Sequence, residues 1–264
     1  MTPLRMCGLL LLALSVLATQ ELLAQGLYYE SVLKGGPFTD KGQVSKTYLM
    51  PKMMKYVNTE DQDFMVLRLD KQKMISVDTK AKTYWEKTFE QMENSTKAAS
   101  EELDAKLAEL QEQMKDMPEE QRKMMEEMMG KKMESSTGNV QMSKTGETKK
   151  ISGFTCTKFV AKEGTRELMT IWTTKEIKGF EPLRRDYEEL SRRMTSMNPR
   201  FMKGLIDAMI KIEGFPIQTD WGEMSTIVTK VERRSTPEPE FAVPAGYTKV
   251  EAPADEMQQE RDPE

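Results

Sequence analysis

The chain has 264 residues, carries 39 Lys plus Arg against 43 Asp plus Glu, and contains two cysteines, 23 methionines and no histidine. The absence of histidine excludes Ser-His-Asp and Cys-His mechanisms and removes the commonest transition-metal ligand. Two cysteines cannot build a multi-bridge disulfide scaffold or a four-cysteine zinc site. A formal net charge of −4 argues against broad attraction to nucleic acid.

Residues 1–24 are predicted to be a signal peptide. Arg5 provides the positive start, residues 8–18 form a short apolar run, and small residues at Ala18 and Ala24 offer cleavage points. The run is shorter than the ~20 residues that a transmembrane helix needs. We therefore expect no membrane anchor, and a periplasmic or extracellular location after cleavage.

The remainder is predicted to be one domain over residues 25–250, and its first part has a β pattern. From Leu27 to about Phe89, short runs rich in β-branched and aromatic residues alternate with turn residues, which favours an antiparallel meander. Strands are predicted from residue 27 to the turn at 35–37, and at 42–50, 63–70, 73–78 and 82–89. Later strands are predicted at residues 151–161, 165–173, 215–221 and 223–233.

Two helical regions interrupt the predicted strands. An insertion over residues 95–134 has apolar residues at 4-3-4-3 spacing and resembles a coiled coil, with a break expected at Pro118. A polar patch at 135–150 separates it from the next strand. Residues 182–213 are predicted to form further helices, beginning at Pro182 and restarting at Asn198-Pro199. The acidic tail, residues 251–264, is expected to be disordered.

Several motifs stand in an order that resembles a known family. They are Tyr28-Tyr29-Glu30, Gly153-Phe154-Thr155-Cys156-Thr157-Lys158-Phe159, Ile171-Trp172-Thr173-Thr174, Gly214-Phe215-Pro216 and Phe241-Ala242-Val243-Pro244-Ala245-Gly246-Tyr247. Together they look like the exported bacterial family called domain of unknown function 4412, which is similar to the LolA-like group. The resemblance implies an open antiparallel half-barrel covered by helices, whose hollow holds acyl chains in characterised relatives. LolA-like carriers lack the long Met-rich insertion, so the resemblance implies architecture and compartment more firmly than ligand.

Five aromatic residues on predicted strands are the candidate ligand-binding residues. If the sheet curves, side chains on its concave face line the space under the helices. The candidates are Tyr84, Trp85, Trp172, Phe215 and Trp221. The alternative is that these side chains fill a dry core, which is the commoner role of a buried aromatic residue.

The methionines of the helical insertion are a second candidate surface. Met124 and Met128 are the ligand-binding candidates there, because soft, flexible side chains suit an adaptable apolar groove. The commoner interpretation is that they pack one helix against another. The arm could instead grip a protein of the cell envelope, or its thioethers could bind Cu(I).

No motif for catalysis stands out. Ser31 and Lys34 fit S-x-x-K, but Ser31 lies in a predicted strand rather than at the start of a helix, so we interpret the match as chance. Cleavage of the signal peptide removes Cys7, and Cys156 has no second cysteine or histidine to activate it. We expect no enzyme, no cofactor and no metal site.

These observations predict an α+β fold with a curved antiparallel β-sheet covered by helices. The predicted function is a non-enzymatic binding protein of the cell envelope that holds an apolar ligand, such as a lipid or an acyl chain, between sheet and helices. A protein-interaction module built on the Met-rich arm is the alternative, followed by a periplasmic Cu(I)-binding protein.

Overall fold

A computed structural model gives the fold of the protein. It describes residues 26–36, 38–115, 118–119, 121, 140–195, 208–209 and 212–253. Two helices are described along their length, α1 at Phe89–Lys115 and α2 at Glu181–Thr195. The twelve described strands are β1 Leu27–Gly35, β2 Phe38–Met50, β3 Met53–Asn58, β4 Phe64–Arg68, β5 Lys73–Asp78, β6 Thr83–Thr88, β7 Val140–Ile151, β8 Phe154–Glu163, β9 Arg166–Thr174, β10 Phe215–Trp221, β11 Met224–Arg233 and β12 Thr248–Lys249.

All the described strands belong to one curved, unclosed sheet in the order β12-β6-β5-β4-β3-β2-β1-β11-β10-β9-β8-β7. Strands β1 to β6 form one antiparallel meander and β7 to β11 form another. Pairing of β1 with β11 joins the two meanders, and β12 adds to β6 in parallel. The large, mostly antiparallel sheet predicted from the sequence is confirmed.

Irregularities in strand pairing bend this sheet. The register shifts between Glu30 and Ser31 in β1 and between Pro216 and Gln218 in β10, and further shifts occur in β7 and β8. An extra residue in one strand of an antiparallel pair increases the local twist and bends the strand. The shifts in β1 and β10 therefore bend the sheet close to the pairing of β1 with β11, the seam between the two meanders.

Two parts of the chain fold differently from the sequence prediction. The polar patch predicted at residues 135–150 is a strand from Val140 onwards, and most side chains of this edge strand are exposed. Such a strand carries no alternation of polar and apolar residues, so the sequence does not reveal it. Strand β3 forms within the predicted β region at residues where no strand is predicted, between those predicted at 42–50 and 63–70.

Helix α1 begins at Phe89, before the predicted start of the helical insertion at residue 95. Thr88 and Gln91 exchange side chain–backbone hydrogen bonds of 3.1 and 2.8 Å, which is a capping box and explains the start. The second half of the predicted insertion lies outside the described residues, apart from residues 118, 119 and 121. Within residues 196–213 the structure describes 208, 209, 212 and 213, and the predicted tail is described only to residue 253.

The helices cover one face of the sheet, here called the helix face. Leu183 and Leu190 of α2 are buried there, as are Phe89 and Met92 at the start of α1. They pack against strand residues from both meanders. These are Leu27, Leu49, Met54, Leu67, Met74, Phe215, Ile217 and Val228. No helix in the described part of the chain is long and apolar enough to span a membrane.

The C-terminal segment, residues 238–250, covers the other face of strands β3 to β6. Phe241 is 1% exposed and packs with Val66 and Val77, and Tyr247 packs at the margin of this cluster. Strand β12 then extends the sheet beside β6. The segment therefore works as a strap over a face that the helices leave open.

Arg68 fastens the strap by ion pairs. Its side chain is 4% exposed and donates to both carboxylate oxygens of Asp70, at 2.8 and 2.5 Å, and to Glu238 at 2.7 Å. Hydrogen bonds from Arg68 hold the pKa of Asp70 and of Glu238 below the usual carboxyl range, and Lys71 also lowers the pKa of Glu238. The pairing links strand β4 to the start of the strap.

Replacing Phe241 by Ala tests the strap. The substitution leaves a cavity beneath strands β3 to β6, so we expect the free energy of unfolding to fall by about 3–5 kcal/mol. Val250→Ala is the matched control, because Val250 is 41% exposed in the same segment and should change stability by less than about 0.5 kcal/mol. Urea unfolding measures both variants. Equal effects in the two would contradict the assigned role of Phe241.

The ion pairs of Arg68 predict an acid-sensitive contribution to stability. Because the folded state lowers the pKa of Asp70 and Glu238, the stabilisation is complete above the ordinary carboxyl range, about pH 4, and is lost as pH falls through the lowered pKa. Arg68→Met should therefore be less stable than the wild type at neutral pH, with a gap that narrows towards pH 3. Lys97→Met, at an exposed pair with Glu101, is the control and should show little gap at any pH.

Candidate ligand-binding pocket

A cavity of about 240 Å³ lies between the helix face of the sheet and α2. Strands from both meanders form its floor, and α2 contributes its roof. The lining residues are Tyr29, Ser31, Thr47, Met54, Tyr56, Met65, Leu67, Tyr187, Ser191, Phe215, Pro216, Ile217, Thr219, Thr226 and Val228. The space between sheet and helix is therefore not completely filled by the core.

The lining has an unusual composition for so charged a chain. Eight of the fifteen residues carry a hydroxyl group, the other seven are apolar, and none is charged. Charged residues make up 31% of the sequence. Such walls can bury an apolar body and offer neutral hydrogen-bond donors and acceptors, but they provide no carboxylate or ammonium group for acid–base chemistry.

Cross-strand pairing in β1 and β2 places a ladder of hydroxyl groups in the floor. Tyr29 lies opposite Thr47 and Ser31 lies opposite Ser45. The Oγ atoms of Ser31 and Ser45 are 2.8 Å apart, and the phenol of Tyr29 is hydrogen-bonded to Thr47. These groups are held by one another, so the floor has a fixed polar pattern.

The two tyrosines of the floor and roof stay neutral over the usual pH range. Burial raises the pKa of Tyr29 well above its ordinary value, and the neighbouring Tyr187 raises it further, while the bond to Thr47 acts in the opposite direction. Burial also raises the pKa of Tyr187, opposed by its bond to Ser191. Both phenols can therefore act as uncharged hydrogen-bonding groups.

Phe215 is placed by a tight turn and by other aromatic rings. The preceding Gly214 has φ +91°, and a Cβ atom there would lie 2.6 Å from the carbonyl oxygen of Thr174, so a larger residue would push β10 away from β9. The ring of Phe215 meets those of Tyr29 and Phe180 edge to face, at 5.3 and 5.0 Å between centroids. Tyr29 and Phe215 of this cluster line the pocket.

Polar contacts at both ends hold α2 over the cavity. Near its start, Asp186 accepts a hydrogen bond of 2.9 Å from the backbone N–H of Lys52, in the turn between β2 and β3. Near its end, Arg193 pairs with Glu93 of α1, and its guanidinium lies 5.3 Å from the ring centroid of Phe89. The roof is therefore attached to the sheet and to the other helix.

The structure spreads the predicted aromatic candidates over several environments. Phe215 lines the pocket, whereas Trp85 and Trp172 belong to the apolar core on which α2 packs, without lining the cavity. Tyr84 points to the opposite face and packs under the strap, and Trp221 packs in a separate cluster with Ile171 and Met169.

The remaining predicted candidates, Met124 and Met128, lie outside the described residues. The protein-partner and Cu(I) alternatives depend on that segment and gain no support from the described structure. Within the described residues, no group of three or more Asp, Glu or Cys side chains is arranged to hold a metal ion. Cys156 is fully buried, and burial raises the pKa of its thiol.

Most of the lining residues were missed by the sequence analysis. Met54, Met65, Thr219 and Thr226 are ordinary strand residues, and no motif marks them. The available signal was the alternation of β1, in which every second residue shares a face. It could not show whether the face of Tyr28 or that of Tyr29 would lie under the helix.

Comparisons with known proteins give a family and distant structural neighbours. The family model for a domain of unknown function, DUF4412, matches residues 112–247. A search of curated proteins finds no match. An uncharacterised conserved protein from Thermus thermophilus is similar in structure, with 7% identity and a TM-score of 0.44 over 89% of this chain and 99% of that one. The structure of PNGF-II is also similar, with 10% sequence identity and a TM-score of 0.37. That match covers 86% of this chain and 32% of the PNGF-II chain.

The two half-buried tyrosines of the pocket, Tyr29 and Tyr187, predict a loss of stability at high pH. Because folding raises the pKa of Tyr29 and Tyr187, their contribution is complete below the ordinary phenol value of about 10 and is lost as pH rises through the raised pKa. The double variant Tyr29→Phe/Tyr187→Phe should therefore lose less stability above about pH 10 than the wild type. Urea unfolding from pH 8 to 11.5 measures this difference. Equal losses of stability in the double variant and the wild type over this range would contradict the role assigned to the two phenols.

Proposed function

The chain belongs to the DUF4412 family, and we propose that it is a non-enzymatic binding protein that holds an apolar ligand between the sheet and α2. The observation that carries this proposal is the cavity itself, with its apolar walls and its uncharged hydroxyl groups. A binding site needs a concave, largely preformed space with a few polar groups that orient the ligand.

The size of the cavity suggests what portion of a ligand it takes. At about 240 Å³ it is slightly smaller than pockets that enclose drug-sized ligands, which measure roughly 300–1,000 Å³. A segment of a lipid, such as part of one acyl chain, is a suitable occupant. Burying ~100 Å² of its methylene surface would contribute about 2–3 kcal/mol.

We further propose that the protein acts in the cell envelope. The support is the N-terminal sequence, in which Arg5 precedes the apolar run at residues 8–18 and Ala24 offers a cleavage point. An exported protein that binds an apolar segment can carry or shield it in water, where its exposure is unfavourable. The chemistry of the lining supports holding a ligand rather than transforming it.

Filling the pocket tests the proposal with a matched pair of variants. Thr226→Phe places a ring in the cavity, whereas Ile227→Phe, at the next residue of β11, places it on the other face. We expect Thr226→Phe to weaken binding of the uncharged fluorescent probe N-phenyl-1-naphthylamine by about ten-fold or more, because the lost contact area is worth at least ~1.4 kcal/mol. Ile227→Phe should bind it as the wild type does.

Native mass spectrometry of the protein isolated from its host provides the second measurement. The wild type and Ile227→Phe should carry a lipid-sized mass, and Thr226→Phe should carry less of it. Thermal unfolding shows whether both variants are folded. Probe binding that is equal in the two folded variants would place the ligand elsewhere and overturn the proposal.

A further inference from the structure

We infer that the pocket selects ligands whose polar group is uncharged, such as an alcohol, ester or amide on an apolar chain, over the ionised carboxylate of the same chain. The inference rests on the proposed binding function and specifies the ligand class for the same site. It follows from two observations, the charge of the lining and the position of two hydroxyl groups without partners among the described residues.

The first observation is that nothing in the lining compensates a charge. All fifteen lining residues are uncharged, and burial raises the pKa of Tyr29 and Tyr187, so both are neutral donors at physiological pH. Only Tyr187 and Ser191 of α2 line the pocket, while Asp186 of the same helix binds the backbone of Lys52 and Arg193 pairs with Glu93. A carboxylate entering the pocket would lose its hydration and gain no cation.

The second observation concerns Thr219 of β10 and Thr226 of β11. The two residues are directly opposite each other in the antiparallel pair, and both line the pocket. Opposite residues of such a pair have Cβ atoms about 4.5–5.5 Å apart, so both hydroxyls can reach one ligand group. Neither side chain is hydrogen-bonded to any residue that the structure describes, in contrast to the bonded pairs of Ser31 with Ser45 and Tyr29 with Thr47.

Two adjacent hydroxyl groups suit a neutral polar group. Each hydroxyl can donate one hydrogen bond and accept others, so the pair can satisfy an alcohol, which donates and accepts, or an ester, which only accepts. The seven apolar lining residues, Met54, Met65, Leu67, Phe215, Pro216, Ile217 and Val228, surround the space available to the chain. The polar and apolar parts of the lining thus match the two parts of one molecule.

Competition among three ten-carbon compounds tests the inference. At pH 8, 1-decanol, methyl decanoate and decanoate are titrated against the full-length protein loaded with N-phenyl-1-naphthylamine. We expect the alcohol and the ester to displace the probe at concentrations at least ten-fold lower than decanoate. Decanoate that competes equally well would overturn the inference while leaving the proposed binding function intact.

Variants of the two threonines identify the groups responsible. Thr219→Val/Thr226→Val removes both hydroxyls while keeping the side-chain shape and suiting a strand, so the variant should fold. It should weaken binding of 1-decanol by about 3–10-fold, the usual effect of a lost hydrogen bond. Thr229→Val, an exposed position of β11 outside the pocket, is the matched control and should bind as the wild type does.

The remaining outcomes separate the two proposals. A double variant that is folded by thermal unfolding but binds 1-decanol as tightly as the control would overturn the assignment of Thr219 and Thr226. A wild type that binds neither the probe nor any of the three compounds would overturn the proposed function itself. Thr226→Lys provides a further check, since an ammonium group in the pocket should make decanoate the better competitor.

Discussion

The pairing of β1 with β11 is the contact on which the pocket depends. It joins residues about two hundred positions apart, from Leu27 opposite Arg233 to Lys34 opposite Ser225, and it unites the two meanders in one sheet. Ser31 and Val228 are opposite each other in this seam, and both line the cavity. Neither meander alone has the complete floor, so the binding surface forms only when the most distant parts of the domain have met. Such a contact has a high cost in loop closure and is expected to form late in folding.

Curvature and a fixed roof turn this seam into a cavity. Register shifts beside the seam, at Glu30 and at Pro216, bend the strands that contribute Tyr29 and Phe215. Helix α2 spans the resulting hollow and is attached through Asp186 to a turn and through Arg193 to α1. Leu183 and Leu190 pack α2 onto the core, and Tyr187 and Ser191 of the same helix line the space that this packing leaves open.

The local sequence predicts the elements of this fold better than it predicts the site. The strand Phe215–Trp221 is recovered to the residue, because it alternates and is bounded by glycines. Strand β7 is not recovered, because a solvated edge strand needs no alternation of apolar residues. The start of α1 is also missed, because it depends on the Thr88 capping box rather than on hydrophobic spacing. Of the aromatic candidates, Phe215 alone lines the pocket. Pairing between distant strands decides which face of β1 the helix covers and where bulges shift the register of β1. The local spacing of residues in the sequence does not show that pairing.

The chemistry of the cavity distinguishes a site from a packing defect. Buried positions avoid charge in any protein, so the lack of charged lining residues would follow from burial alone. The number of hydroxyl groups in the lining does not follow from burial, because a dry core is made mostly from aliphatic side chains and a hydroxyl withdrawn from water needs a hydrogen-bond partner. Ser31 and Tyr29 have such partners within the protein, whereas Thr219 and Thr226 have none among the described residues. Thr219 and Thr226 are half-buried in the wall of the cavity, so the hydroxyl groups of this adjacent pair can meet a neutral polar group of a ligand that enters it.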